Sequence, residues 1–246
     1  MKNIVGLVLF GFAFAAAAAD LVLIGDSTLA PRPGENYSPP SGSWGDALTN
    51  HFVSGASCRN YAVGGRTVVT TLPTWEKSLQ GMHTGDFVIV QFGINDAAKK
   101  KFVDEAKFKE ILGKFVDDIR ARGANPVLCG PIADAGYRKN AKADAPFEIN
   151  TSRNTYCEYT RAVAAAKKAD FVDMTALTAA ENTRLGKDGA HALYRGTWER
   201  PDEKTGTKRP VFDTTHPNKA RARRFAEIFI AEVKSRKLPI AQLFRH

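Results

Sequence analysis

Short apolar runs that stop at a glycine or a polar residue are the feature that most constrains the fold of this chain. Each run has the length of a buried β-strand rather than of a helix. Strands that alternate with helices favour a parallel sheet covered on both faces. We therefore predict an α/β fold, a three-layer α/β/α sandwich with a central, mostly parallel sheet. The runs are residues 21–25, 60–63, 86–92, 126–131 and 171–174.

Helical patterns occupy several of the intervals between these runs. The clearest has apolar residues at i, i+3, i+4, i+7 and i+11, namely Phe108, Ile111, Leu112, Phe115 and Ile119, and ends near Gly123. Further helices are predicted at 44–52, at 151–168 and after His216. The polar, glycine-bearing stretch 186–210 reads as a long loop, and loops of that length are usually functional or disordered.

The first 19 residues have the pattern of a secretory signal peptide. One cation, Lys2, precedes the uncharged apolar stretch 4–16, and small residues at 17–19 offer a cleavage site. The stretch is too short for a stable membrane anchor, and no cysteine follows it for lipid attachment. We expect a secreted or periplasmic protein, free of the membrane, in which residues 20–246 form one catalytic domain. We expect this domain to be a monomer.

The charge balance indicates an anionic partner. The full chain carries +9, and without Lys2 the 34 Lys and Arg against 26 Asp and Glu leave +8. No zinc-type spacing and no basic helix with interleaved aromatics is present, so an anionic polymer other than nucleic acid is favoured. The cysteines, Cys58, Cys129 and Cys157, are odd in number and can form at most one disulfide, which the sequence does not select.

Four polar blocks could together perform nucleophilic catalysis. Residues 25–27, Gly-Asp-Ser, place a serine where the first strand ends, and open α/β sheets bind ligands at such ends. Residues 64–66, Gly-Gly-Arg, offer unobstructed backbone N–H groups, and the asparagine of 93–96, Gly-Ile-Asn-Asp, could donate to an oxyanion. In 213–216, Asp-Thr-Thr-His, a carboxylate can orient an imidazole. Singly, each block is more simply interpreted as a turn or a helix cap.

In this order the four blocks resemble the SGNH (GDSL-type) hydrolase superfamily, and they span nearly all of the mature chain. The resemblance implies a flavodoxin-like fold. It also implies that Ser27 is the nucleophile, that His216 is the general base and that Asp213 orients His216. No metal or organic cofactor is expected.

The resemblance also assigns an oxyanion hole. Its donors would be the backbone N–H groups of Ser27 and Gly65 and the side-chain amide of Asn95. Gly65 is chosen over Gly64 because the glycine of the family immediately precedes the position of Arg66.

Finer details look like the rhamnogalacturonan acetylesterase group, whose members are exported and remove acetyl esters from pectin. These details are Gly-Asp-Ser-Thr at 25–28, Trp-Gly at 44–45, Ala-Val-Gly-Gly-Arg-Thr at 62–67 and Gln-Phe-Gly at 91–93. Two departures are Thr214, where glycine is usual, and Arg221, where a small residue is common. The expected substrate is an acetylated, acidic polysaccharide or oligosaccharide.

Aromatic and cationic side chains are candidates for sugar contact, because sugar rings stack on aromatics and Arg can pair with a uronate. The candidates are Trp44, Arg66, Tyr194 and Trp198, with Arg195 and Arg200 near the last two. Alternatives within the superfamily are an acetylxylan or other carbohydrate acetylesterase, and a thioesterase or lysophospholipase, which would need an apolar channel. Outside enzymes, the alternative is a non-catalytic glycan-binding protein.

Overall fold

A five-stranded parallel sheet forms the centre of the computed structural model, which describes residues 19–31, 42–136, 147–201 and 205–245. Its strands are β1 (Leu21–Gly25), β2 (Cys58–Asn60), β3 (Phe87–Gln91), β4 (Asn125–Cys129) and β5 (Asp170–Val172), in the order β2-β1-β3-β4-β5. All neighbouring pairs are parallel. This is the flavodoxin-like order, so the predicted α/β sandwich with a parallel sheet is confirmed.

Two apolar layers cover the two faces of the sheet, because successive residues of a strand point to opposite sides. Leu21 and Leu23 of β1 belong to one core, while Val22 and Ile24 belong to the other. The first core includes residues of α1 (Trp44–Leu48) and α6 (Lys219–Ser235). The second includes residues of α2 (Val68–Gln80), α3 (Glu105–Ala121) and α4 (Thr151–Lys167).

Two helices were not predicted from the sequence. α2 contains Pro73, and its apolar positions are few, but it begins at a capping box in which Thr67 and Thr70 satisfy each other's backbone N–H groups. α5 (Met174–Ala192) crosses a break at Gly186, whose φ is +66°. Its hydrophobic face is interrupted, so no helical stripe stands out. Short 3₁₀ segments at Thr49–His51 and Pro239–Leu243 complete the assignment of helices in the described ranges.

The stretch 186–210 is not the long loop that was predicted. It contains the end of α5, the strand β6 (Tyr194–Pro201) and the start of the strand β7 (Lys208–Pro217), and the two strands pair antiparallel as a separate ribbon. A two-stranded ribbon outside the main sheet needs no run of apolar residues, so the criterion that identified β1, β3 and β4 does not detect it. The ribbon carries the Asp-Thr-Thr-His block at its end.

All three cysteines are free thiols, and Cys129 and Cys157 are buried. The predicted signal peptide lies outside the described residues except for its last position. Within the residues that are described, no helix combines the length and the apolar character needed to cross a membrane.

Candidate active site

Ser27 lies in the turn that follows β1. The chain adds β2 on one side of β1 and the later strands on the other side, so the order of the strands changes direction at β1. The turn begins tightly, since a Cβ on Gly25 would come within 2.6 Å of the Gln91 carbonyl oxygen. The carbonyl of Asp26 then accepts the N–H groups of Leu29 and Ala30, at 3.2 and 2.9 Å. Because β1 lies between β2 and β3, this turn opens at the topological switch point, where open α/β sheets bind their ligands.

His216 and Asp213 come from the end of β7 and complete a hydrogen-bonded series with Ser27. Ser27 Oγ lies 2.8 Å from His216 Nε2, and His216 Nδ1 lies 2.8 Å from Asp213 Oδ2. Asp213 Oδ1 accepts the N–H groups of Thr215 and His216, at 2.9 and 3.0 Å. Burial by itself raises the pKa of Asp213, but the hydrogen bonds and attraction from His216 outweigh it and lower the pKa to about 2. A carboxylate in this position favours the tautomer whose Nε2 can accept the serine proton.

The Asp-Thr-Thr-His block is held by two elements outside the ribbon. The carbonyl of Thr214 accepts the N–H of Ala135 at 2.9 Å. Arg153 of α4, only 5% exposed, donates to Thr215 Oγ1 at 3.0 Å and to the Ile132 carbonyl at 2.7 Å. Sequence reasoning missed Arg153, since an arginine in a partly polar helix is usually solvent-exposed, and no local pattern marks it as buried.

The loop that contains Gly64 and Gly65 lies beside Ser27, and Asn95 is hydrogen-bonded to this loop. A Cβ on Gly64 would lie 3.7 Å from Ser27 Cβ, so the glycine pair passes next to the nucleophile. Gly65 has a φ of +76°, which favours glycine, and its N–H donates no hydrogen bond to the described residues. Asn95 Nδ2 donates to the Arg66 carbonyl at 3.0 Å, which fixes the amide against the same loop.

The carboxylate of Asp96 bonds to two segments of the site, the start of α2 after the glycine pair and the turn after β3. One of its carboxylate oxygens accepts the N–H of Val68, at the start of α2, at 2.9 Å, and the other accepts the N–H of Gly93 at 3.0 Å. Burial raises the pKa of Asp96 to about 6, against the lowering effect of these two N–H groups. The aspartate of the Gly-x-Asn-Asp block therefore ties the turn that carries Asn95 to the segment that follows the glycine pair.

A buried hydrogen-bond network supports the turn that carries Ser27. It includes three of the residues that resemble the rhamnogalacturonan acetylesterase group. Trp44 Nε1 donates to Gln91 Oε1 at 3.0 Å, and Gln91 Nε2 donates to Thr28 Oγ1 at 2.6 Å. The hydroxyl and the N–H of Thr28 both donate to Asp26 Oδ1, each at 2.9 Å. All four residues are fully buried. The Thr of Gly-Asp-Ser-Thr, the Trp of Trp-Gly and the Gln of Gln-Phe-Gly thus form one structure.

Two of the predicted substrate contacts are wrong. Trp44 is 0% exposed and packs on Phe229 with ring centroids 5.5 Å apart, so no sugar can stack on it. Tyr194 is 3% exposed, and its hydroxyl donates to the Ala133 carbonyl at 2.7 Å. Both rings contribute apolar area to the core while their polar atoms find buried partners.

The structure does not bury the other predicted substrate contacts in the core as far as it describes them. Arg66 is half-buried beside the glycine pair and donates to the Thr70 carbonyl. Trp198 lies in β6, and its side chain falls outside the described part of the chain, as do those of Arg195 and Arg200.

Arg221, which departs from the family pattern, is buried. It donates to Asn182 and lies over the Phe225 ring at 4.6 Å.

The arrangement has the parts of an acyl-transfer centre: an oriented base on a serine hydroxyl, and backbone and amide donors beside it. Of the five predicted site residues, Ser27, His216 and Asp213 form one hydrogen-bonded series, and Gly65 and Asn95 belong to the adjoining loop and to the turn bonded to it. Their catalytic roles stay predictions.

The chain is similar to known proteins over most of its length. The model of the GDSL-like Lipase/Acylhydrolase family matches residues 23–224. The rhamnogalacturonan acetylesterase RhgT of Bacillus subtilis (strain 168) is 24% identical over 220 residues, which cover 89% of this chain and 90% of that protein.

Solved structures share the fold. That of the Bacillus subtilis protein YxiM superposes with a TM-score of 0.70 at 24% identity, covering 90% of this chain and 57% of that one. That of Axe2, an acetylxylan esterase from Geobacillus stearothermophilus, gives a TM-score of 0.61 at 20% identity, covering 88% and 94%.

Proposed function

The chain belongs to the GDSL-like lipase/acylhydrolase family, and on this premise we propose that it is a serine esterase that removes O-acetyl groups from pectin of the rhamnogalacturonan type. The observation that carries the proposal is the hydrogen-bonded series from Ser27 through His216 to Asp213, with both distances 2.8 Å, beside Gly65 and Asn95. We further propose that residues 1–19 direct its export.

The proposed reaction proceeds in two halves through an acetyl-serine. His216 Nε2 takes the hydroxyl proton as Ser27 Oγ attacks the acetyl carbonyl carbon, and the oxyanion lies against the N–H groups of Ser27 and Gly65 and the amide of Asn95. His216 then gives the proton to the departing sugar oxygen. A water molecule, deprotonated by the same Nε2, attacks the acetyl-serine and releases acetate, which restores the Ser27 hydroxyl. Asp213 stabilises the imidazolium in both halves.

Two observations support an acetylated acidic substrate. The first is that RhgT is named a rhamnogalacturonan acetylesterase and is similar along nearly its whole length. The second is the charge of +8 on residues 20–246, with the half-buried Arg66 next to the glycine pair. Rhamnogalacturonan carries a carboxylate on each galacturonate, whereas acetylated xylan, the substrate named for Axe2, is largely neutral. Long-range attraction would therefore favour pectin.

The test of the chemistry is Ser27→Ala, assayed with p-nitrophenyl acetate and p-nitrophenyl octanoate. We expect the wild-type protein to prefer the acetate and the folded variant to lose turnover. Wild-type turnover by a correctly folded Ser27→Ala protein would refute the serine mechanism. Preference for the octanoate would favour a lysophospholipase or thioesterase instead.

The test of the substrate compares acetate release from acetylated rhamnogalacturonan, acetylxylan and a small neutral ester, each at low and moderate salt. We expect kcat/KM for the acidic polymer to fall as salt rises, because salt screens charges over about 8–10 Å. The neutral ester should change little. A preference for acetylxylan, or equal salt responses of pectin and the small ester, would contradict the pectin assignment and leave the esterase assignment intact.

A further inference from the structure

Lys101 lies outside the residues that the resemblance assigns, yet its side chain reaches the loop that carries the oxyanion donor. Its Nζ donates a hydrogen bond of 2.7 Å to the carbonyl of Gly65. The position that a Cβ on Gly65 would take is 3.1 Å from the same nitrogen. An ammonium group therefore lies against the glycine whose N–H is assigned to the oxyanion hole.

Lys101 and Asn95 lie in one turn, and both donate hydrogen bonds to the loop that contains Gly65. Asn95 Nδ2 holds the carbonyl of Arg66, and Lys101 Nζ holds the carbonyl of Gly65, so two successive carbonyls of the loop are bound from residues 95–101. That turn is itself fixed, since the N–H of Ala98 donates to the Asn95 carbonyl at 3.0 Å and the N–H of Lys101 to the Ala98 carbonyl at 2.7 Å. The loop is thus held by one neutral and one charged donor.

We propose that Lys101 is a positioning residue of the oxyanion hole. It restrains Gly65 so that its N–H stays aimed at the reacting carbonyl, and it places a full positive charge beside the oxygen that becomes negative in the transition state. Charge and dipoles fixed in advance stabilise such an oxygen without further reorganisation. The inference rests on the proposed serine esterase function, and it concerns any ester substrate, charged or neutral.

The size of the effect follows from the exposure of the lysine. A donor that contacts the oxyanion directly is worth roughly 10²–10³ in kcat. Lys101 is exposed and acts through Gly65, so water and salt screen its charge. We therefore expect its removal to lower kcat by about three- to tenfold, since an exposed charge contributes much less than a buried one.

The experiment measures kcat and KM for p-nitrophenyl acetate, which is neutral, with Lys101→Met, Lys101→Arg and the control Lys100→Met. Lys100 is an exposed lysine of the same turn and makes no hydrogen bond or ion pair with the described residues. We expect kcat to fall for Lys101→Met at nearly unchanged KM, to recover in Lys101→Arg, and to stay at the wild-type value in Lys100→Met. Melting temperatures should be alike, because the altered side chains are exposed.

Two results would overturn the proposal. Equal kcat for Lys101→Met and Lys100→Met would remove the role of Lys101, and so would a change in KM alone, which indicates lost ground-state binding. Ser27→Ala in the same assay separates the two proposals. If that variant keeps its turnover, the esterase function fails and this inference fails with it. If it loses turnover while the two Met variants match, only the role of Lys101 is refuted.

Discussion

Thr28→Val is expected to reduce the stability of the protein by about 2–4 kcal/mol without creating a cavity. Valine has nearly the same shape as threonine, so the change removes only the hydroxyl. That hydroxyl donates to Asp26 Oδ1 at 2.9 Å and accepts from Gln91 Nε2 at 2.6 Å, and all three residues are fully buried. A neutral hydrogen bond contributes about 0.5–1.5 kcal/mol and one to a charged group about 1.5–3. The variant also leaves a Gln91 N–H buried without an acceptor.

Urea unfolding followed by circular dichroism measures this loss. With an m value of about 2 kcal/mol/M, the expected change lowers the midpoint by about 1–2 M at constant m. The control is Thr74→Val on the exposed side of α2, which makes the same chemical change and should cost less than about 0.5 kcal/mol. Equal midpoints for the two variants would refute the view that the network Trp44–Gln91–Thr28–Asp26 stabilises the serine turn.

Three further predictions concern the groups proposed to be catalytic. Asn95→Ala should lower kcat by roughly 10²–10³ with little change in KM for p-nitrophenyl acetate, and a change in KM alone would show that Asn95 only shapes the loop. Asp213→Asn should lower kcat by roughly 10⁴, because an amide NH₂ that faces His216 Nδ1 places the ring proton on Nε2, where it cannot accept the Ser27 proton; a loss below about tenfold would contradict this. Since the pKa of Asp213 is lowered to about 2 in the folded state, its ionised form stabilises the protein above about pH 4, and this contribution should disappear as the pH falls towards 2. Wild-type and Asp213→Asn unfolding curves should therefore converge over that range, and a constant difference between them would refute the assignment.

Local patterns in the sequence predicted the parallel sheet, and the resemblance to a known family predicted the five residues of the candidate site. The strands β1, β3 and β4 are buried on both faces, so they appear as continuous apolar runs that can be recognised locally. The Ser27, Gly65 and Asn95 blocks follow strands of the parallel sheet, whose carboxyl ends lie at the same side of the molecule. Ser27 and His216, 189 positions apart, could be paired only through the resemblance to a known family, because the His216 block lies in the separate ribbon.

Only the tertiary structure decided which neighbouring side chains face the site and which support it. Trp44 and Tyr194 look like sugar-stacking residues in the sequence, but long-range packing buries both rings and satisfies their polar atoms. Arg153 and Lys101 look like ordinary surface cations, yet they hold the loops of His216 and Gly65. The physical reason is that the periodicity of apolar residues indicates only which face of a segment is, on average, exposed to solvent. Whether one side chain of that segment is buried or reaches a particular carbonyl depends on residues far away in the chain.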